Sequence, residues 1–340
     1  MLIVAGPVGE RQHERADHPE RPARVTAAMA GVHDLDLGRD LHLIPPSEVA
    51  MSTLGLVHDP EYLRRLSASS ASGGGDLDPD TFVTASSWEA ATQAAGAGLA
   101  AVAALRQAGT GVAFVAARPP GHHALRDRGM GFCLINNVAV SAAALVAEGE
   151  RVLIVDWDVH HGNGTQSIFW DDPRVLYVST HEWPLYPGTG RPQEVGGSGA
   201  PGLTLNVPVP AGATGDVLRR AYEELAAPAV ERFAPSWVLV SAGFDAHRAD
   251  PLADLALSSG DFAELARAVG QFAPGPGRVV LFLEGGYDLL AIRGSVRASL
   301  GSLLGATTEP ELPTSGGPGM EVLDGLRATW VEAVDRVRGS

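Results

Sequence analysis

The stretch LIVDWDVHHGNGTQ, residues 153–166, runs an apolar segment directly into two acids and two histidines. Asp156, Asp158 and His160 occupy alternate positions. In extended chain their side chains share a face, while Trp157 and Val159 turn into packing. Two carboxylates and an imidazole suit a divalent cation. Three protein ligands leave a position open for water, the mark of a catalytic rather than a structural metal site. Carboxylate-rich ligation does not identify the metal: zinc is the first expectation, with iron(II), cobalt and manganese open. A lone D-x-D-x-H at a strand end is equally compatible with an N-cap or an ion-pair cluster.

Three other stretches follow the same plan. VAFVA (112–116) runs into ARPPGHHA, which delivers His122 and His123; WVLVSAG runs into FDAHRADPL, which delivers Asp245; VVLFL (279–283) runs into EGGYD, which delivers Glu284 and Tyr287. Taken singly, a tandem histidine is loop decoration and Tyr287 a wall residue. Four polar clusters, each closing an apolar run, read as one site, because open α/β sheets bind ligands beyond the carboxyl ends of their strands. Asp245 can complete the metal set from a neighbouring strand, and the extra acid can orient a histidine. His13, His18, His33, His42, His58, His181 and His247 read as surface or hydrogen-bonded core.

The elements that must position these groups are legible in outline. The runs 112–116, 152–156, 175–179, 237–241 and 279–283 are continuous and apolar, as strands buried on both faces of a parallel sheet are. Ala- and Leu-rich helical segments lie between many of them, at about 85–108, 138–148, 215–233 and 261–272. The alternation predicts an α/β protein, a single-domain three-layer α/β/α architecture around a mainly parallel sheet. Gly- and Pro-rich loops are expected at 67–81 and 186–202, and their length suits functional loops. The reading is one domain over 1–340: a core of about 18–305, a linker at 306–319 and a final helix at 320–337.

Composition bounds the function. The chain has 340 residues, 45% hydrophobic and 19% charged, with material for a large core. Its formal charge is −15 and it contains no lysine, so every basic side chain is Arg. Such acidity argues against direct nucleic-acid binding, which needs clustered positive charge. It suits a cationic substrate and solubility equally. The lone Cys133 excludes an internal disulfide and a thiolate metal cluster. With no leader-like N-terminus and no membrane-length apolar run, the expectation is a soluble, cytoplasmic protein without membrane contact. A homo-oligomer remains open.

The motifs HPERPAR (18–24), RPPGHHA (118–124), GFCLINN (131–137), DWDVHHGNGTQ (156–166), YPGTG (186–190), SAGFDAHRADPL (241–252) and EGGYD (284–288) resemble the histone deacetylase superfamily. The likeness is closest to its class II and bacterial amidohydrolase branch, with its acetylpolyamine and acetoin-utilisation relatives. The resemblance implies the shared arginase/deacetylase-like fold and one catalytic Zn2+ per chain, held by Asp158, His160 and Asp245. It implies that His123 is the general base and acid, that His122 is its electrostatic neighbour bonded to Asp156, and that Asn163 is the partner of His123. Tyr287 corresponds to the phenol that polarises the substrate carbonyl. A K+ site is implied at Asp156, Asp158, His160, Ser179 and Thr180. For substrate, the resemblance implies Phe132 and Tyr186 as channel walls, the Gly131 carbonyl as an acceptor, and Asp78 at the rim, with Asp76 and Asp80 as competitors. Leu252 stands where the polyamine-selective animal branch has glutamate, and Glu182 is a candidate substitute.

The chemistry supports these roles. Amide hydrolysis needs a nucleophilic water, an electrophile for the carbonyl oxygen and a proton for the departing nitrogen. A metal serves the first two, a phenol adds a donor worth about 10²–10³ in rate, and a histidine moves the proton near neutral pH. The expected activity is a zinc-dependent amidohydrolase removing acetyl or other short acyl groups from acyl-lysine. The alternatives are an acetylpolyamine or other small acyl-amide deacetylase, a non-catalytic acyl-ligand binder, and an arginase-type ureohydrolase with two manganese ions.

Overall fold

The computed structural model describes residues 1–6 and 13–338. Its strands are β1 (Leu2–Ala5), β2 (Leu41–Ile44), β3 (Gly74–Asp76), β4 (Phe82–Thr84), β5 (Val112–Val115), β6 (Val152–Asp156), β7 (Val175–Glu182), β8 (Thr204–Val209), β9 (Trp237–Ala242) and β10 (Val279–Leu283). Eight of them form one sheet in the order β2-β1-β5-β10-β9-β6-β7-β8, while β3 and β4 form a separate hairpin. Every pair within the large sheet is parallel. The helices are α1 (Ala23–His33), α2 (Met51–Leu54), α3 (Pro60–Ala71), α4 (Ser87–Ala108), α5 (Asn137–Ala147), α6 (Asn163–Ile168), α7 (Gly215–Ala221), α8 (Ala227–Phe233), α9 (Ser259–Phe272), α10 (Leu289–Leu304) and α11 (Met320–Arg338).

Parallel strands need crossover connections, and the returning helices cover both faces. The period of two then divides each strand between two cores. Leu153 and Val155 of β6 join a cluster with residues of α1, α7, α9 and α10. Val152 and Ile154 join the opposite cluster with α3, α4 and α5. All four are buried, and truncating such a side chain to Ala typically costs about 2–5 kcal/mol. The three-layer α/β/α arrangement is therefore as expected.

The five expected strands are present at nearly the expected limits, and the expected helices lie within two residues of α4, α5 and α9. The segment at 215–233 forms α7 and α8, joined by a π-helical turn over Tyr222–Ala226. Two expectations are corrected. The loop foreseen at 67–81 begins inside α3 and contains β3. Five strands went unforeseen: β1, β2, β3, β4 and β8. Pro208 and Asn206 break the apolar run of β8, and an edge strand is where a proline is tolerated.

Residues 306–319 contain no helix or strand, yet they are anchored to the core. Glu311 meets His247 at 2.8 Å, and Thr314 bonds Asp261 in the capping box of α9. No described helix is long and apolar enough to cross a membrane.

Two caps matter for the site. Asn136 caps α5 by accepting from Ala139 N at 3.0 Å, and Asp288 caps α10 by accepting from Ala291 N at 2.8 Å. Each cap pins the loop residues before it, because an N-cap has a defined backbone conformation outside the helix. For α10 the preceding residue is Tyr287.

Candidate active site

Strands β5, β10, β9 and β6 are consecutive neighbours in the sheet, although they are far apart in the chain. Their carboxyl ends therefore deliver His122–His123, Glu284–Tyr287, Asp245 and Asp156–His160 to one place.

Asp158, His160 and Asp245 converge. One potential ligand atom from each lies within 4.8 Å of the others. His160 Nδ1 is 3.2 Å from Asp158 Oδ1 and 3.2 Å from Asp245 Oδ2. Backbone N–H groups aim the carboxylates: Gly285 N donates to Asp158 Oδ2 at 2.7 Å and Val159 N to Asp245 Oδ1 at 2.9 Å. Both carboxylates are fully buried. Burial and the Asp158 charge push the Asp245 carboxyl upward in pKa. Burial disfavours a charged His160, but the two carboxylates outweigh it and raise its pKa to about 10.

Such a pocket demands positive charge where His160 Nδ1 meets the two acids. The donor set of two carboxylate oxygens and one imidazole nitrogen fits a divalent cation with open positions. The glycines around it are required by close approach. A Cβ on Gly285 would stand 2.0 Å from Asp245 Oδ2, and one on Gly243 2.0 Å from Asp158 Oδ2.

The rings of His122 and His123 lie with centroids 4.0 Å apart and planes tilted by 45°, but they are held in different states. His122 Nδ1 faces Asp156 Oδ2 at 3.1 Å. Burial favours its neutral form, yet Asp158 and Asp156 prevail and raise its pKa to about 10. His123 Nδ1 faces Asn163 Oδ1 at 2.7 Å. Burial, with His122 and His160 beside it, holds this imidazole well below its ordinary pKa. With Nδ1–H donated to Asn163, the free lone pair of His123 lies on Nε2. One histidine is thus a cation and its neighbour a base.

Tyr287 is 9% exposed. Burial, joined by Asp245 and Asp158, pushes its phenol well above the usual pKa against the opposing pull of Arg24. The group stays a neutral donor. Phe132 meets it edge-on at 5.9 Å, and Tyr186 meets His123 edge-on at 5.2 Å. Gly131 is pressed between those rings: with φ at +55°, its Cβ would stand 2.5 Å from the His123 ring and 3.0 Å from Tyr186. Tyr186 and Leu252 are both partly exposed. A cleft of about 510 Å³ opens between residues 14–21, Pro251 and Tyr287. A cleft of comparable size beside Trp330 is lined by Arg151, Arg232, Asp335 and apolar side chains and holds none of these histidines or the tyrosine.

Other sequence-selected residues take quieter positions. Asp78 Oδ1 accepts from Asp80 N and Thr81 N, which closes the β3–β4 turn. Asp76 pairs with Arg15 at 2.5 Å. Glu182 is buried and accepts from Asp254 N at 2.8 Å. Ser179 lies beside Asp156 in the β6–β7 register, and its hydroxyl meets His181 Nδ1 at 2.9 Å. The buried Thr180 hydroxyl has no hydrogen-bond partner among the described residues.

Several supporting residues carry no spacing signal. Glu284 Oε2 accepts from Gly121 N and His122 N at 2.7 and 3.2 Å, which fixes the turn before the histidine pair. His122, Cys133 and Glu284 also lie close enough to resemble a metal set. Burial pushes the Cys133 thiol well up, and a protonated thiol is a poor ligand. Arg24 and Arg118 share the buried Glu20 carboxylate. The Arg24 guanidinium also lies 4.9 Å from the Tyr287 ring centroid. His161, next to a candidate ligand, meets Thr189 at 2.7 Å and Gln166 at 2.9 Å, which ties down the loop carrying Tyr186.

The chain belongs to the histone deacetylase family: residues 18–303 match the histone deacetylase domain. It is thus a deacetylase-type amidohydrolase in class. A histone deacetylase-like amidohydrolase of Pseudomonas aeruginosa is 38% identical over 278 residues, covering 80% of this chain and 72% of its own. The solved HD domain of HDA15 superposes with a TM-score of 0.82 at 34% identity, over 98% of this chain and 92% of that one. The acetylpolyamine aminohydrolase of Burkholderia pseudomallei gives a TM-score of 0.79 at 28% identity, over 88% of this chain and 98% of that one.

Proposed function

We propose that this protein is a zinc-dependent deacylase that removes acetyl or other short acyl groups from the side-chain amine of acyl-lysine. The observation that carries the reading is the Asp158–His160–Asp245 cluster beside a base-form His123 whose tautomer is set by Asn163. A zinc ion held there would supply a Lewis acid and lower the pKa of water. His123 Nε2 takes the proton of the attacking water as the new C–O bond forms. The same nitrogen returns it to the amine as the C–N bond breaks, so one imidazole serves as base and then acid. Tyr287 donates to the carbonyl oxygen as negative charge develops, and burial keeps that donor protonated. Asp156 and His122 supply a fixed charge pair behind the base.

Phe132 and Tyr186 form the walls for the lysine methylenes in this reading, with the Gly131 carbonyl as acceptor for the amide N–H and Asp78 at the rim. Leu252 at the mouth offers apolar surface rather than a carboxylate, which favours acyl-lysine. The Burkholderia neighbour favours the second reading, a small acylpolyamine substrate. A K+ ion near Asp156, Asp158, His160, Ser179 and Thr180 belongs to the same reading, supported by the register that sets Ser179 beside Asp156.

Hydrolysis of an acetyl-lysine amide and of an acetylated diamine should be compared on zinc-supplemented protein, before and after chelation. We expect zinc-restorable turnover with a higher kcat/KM on the lysine substrate. Preference for the diamine would favour the second reading, and no turnover on either would overturn both.

A further inference from the structure

Asp250 lies in the segment HRADPL, and the roles above leave its carboxylate unused. The side chain is 7% exposed and accepts three backbone N–H groups. Oδ1 accepts from Leu252 N at 3.0 Å, and Oδ2 accepts from Tyr287 N at 2.6 Å and Asp288 N at 3.3 Å. The first bond closes an Asx turn across Pro251, whose ring restricts φ and stiffens the turn. That short rigid turn aims the second oxygen at another segment altogether. It reaches the backbone of the phenol-bearing residue and that of the α10 N-cap.

The segment before Tyr287 needs such a hold. Gly285 and Gly286 precede it, and Gly286 adopts φ +111°, a conformation that glycine enters freely. Asp288 fixes the chain on the helix side through Ala291 N, while Asp250 fixes it from the neighbouring loop. The same carboxylate also holds the backbone of the partly exposed Leu252.

We propose that Asp250 is a positioning residue that registers the Tyr287 phenol against the substrate carbonyl and couples it to the rim at Leu252. The inference deepens the proposed function and rests on its assignment of Tyr287. Asp250 touches no reacting atom. It acts through the backbone it holds, and a displacement of about 1 Å in a reacting group can cost about 10² in rate.

A double-mutant cycle tests this, because residues acting through one another are not additive. Turnover of an acetyl-lysine amide would be measured for wild type, Asp250→Ala, Tyr287→Phe and the double variant, with circular dichroism as the folding control. Asp250→Ala should lower kcat by roughly 10–100-fold while KM moves by less than about 3-fold. Tyr287→Phe should lower kcat by about 10². The double variant should fall within about 3-fold of Tyr287→Phe, since no hydroxyl remains to be placed. Asp250→Asn keeps one acceptor oxygen, should recover part of the loss, and carries the same cycle if Asp250→Ala does not fold. Multiplicative losses in the double variant, or full kcat in Asp250→Ala, would overturn the positioning role and leave that of Tyr287 standing. Wild-type activity in Tyr287→Phe would overturn both.

Discussion

His123 Nδ1 lies 2.7 Å from the side-chain oxygen of Asn163, a neutral acceptor at the start of α6. The neighbouring Asn163 Nδ2 is turned to the Met130 sulfur at 3.4 Å, which fits this orientation of the amide. A neutral partner holds the ring without adding a charge that would favour its protonation.

Asn163→Asp should therefore change the pH profile more than the fold. A carboxylate at that distance stabilises the imidazolium and raises the pKa of His123, by about 1 unit or more for an adjacent opposite charge. The base must be neutral to accept a proton. The acid limb of kcat/KM should then move to higher pH by about that amount, as read from profiles of the two proteins. An unmoved limb would mean that His123 is not the base.

Metal content gives a reading independent of turnover. The proposed site predicts about one divalent ion per chain after zinc loading and dialysis. Asp245→Ala should reduce this to well below half while far-UV circular dichroism is retained, because Asp245 is one of three converging donors. Elemental analysis of both proteins decides the matter. Two ions per wild-type chain would instead revive the ureohydrolase alternative.

The buried His58 makes stability pH-dependent in a known direction. Its Nδ1 donates to Leu125 O at 2.8 Å and its Nε2 accepts from Asn136 N at 2.9 Å, so the neutral ring is fully used. Burial lowers its pKa to about 4. The unfolded chain takes up this proton near the ordinary value, so the contribution is present above about pH 6.5 and is lost as pH falls towards 4. Its full size is on the order of 3–4 kcal/mol. Urea midpoints at pH 7.5 and 4.5 should differ less for His58→Gln than for wild type.

Much of this architecture can be read from the chain because both strand faces are buried. The runs VLIVD and VVLFL admit little except interior strands, and the abrupt change to acids and histidines marks their carboxyl ends. Hidden is the order in the sheet, since nothing local says that β9 and β10 sit between β5 and β6. β8 is masked by Pro208 and Asn206. The ligand candidates are legible because their side chains meet at a regular spacing. The role of Asp250 is not, because it bonds to backbone N–H groups, which any residue can supply; Glu284 is legible as a member of the cluster, but its hold on Gly121 N and His122 N is not.

The interleaving of β9 between β6 and β10 also has a temporal consequence. During synthesis the first two candidate ligands emerge long before Asp245, and Gly285, which steadies Asp158, emerges later still. Sheets dominated by distant pairings are slow to assemble. The proposed metal site would therefore be completed only at a late stage of maturation, and a nascent chain stalled before residue 279 would have no strand β10 to complete the cradle.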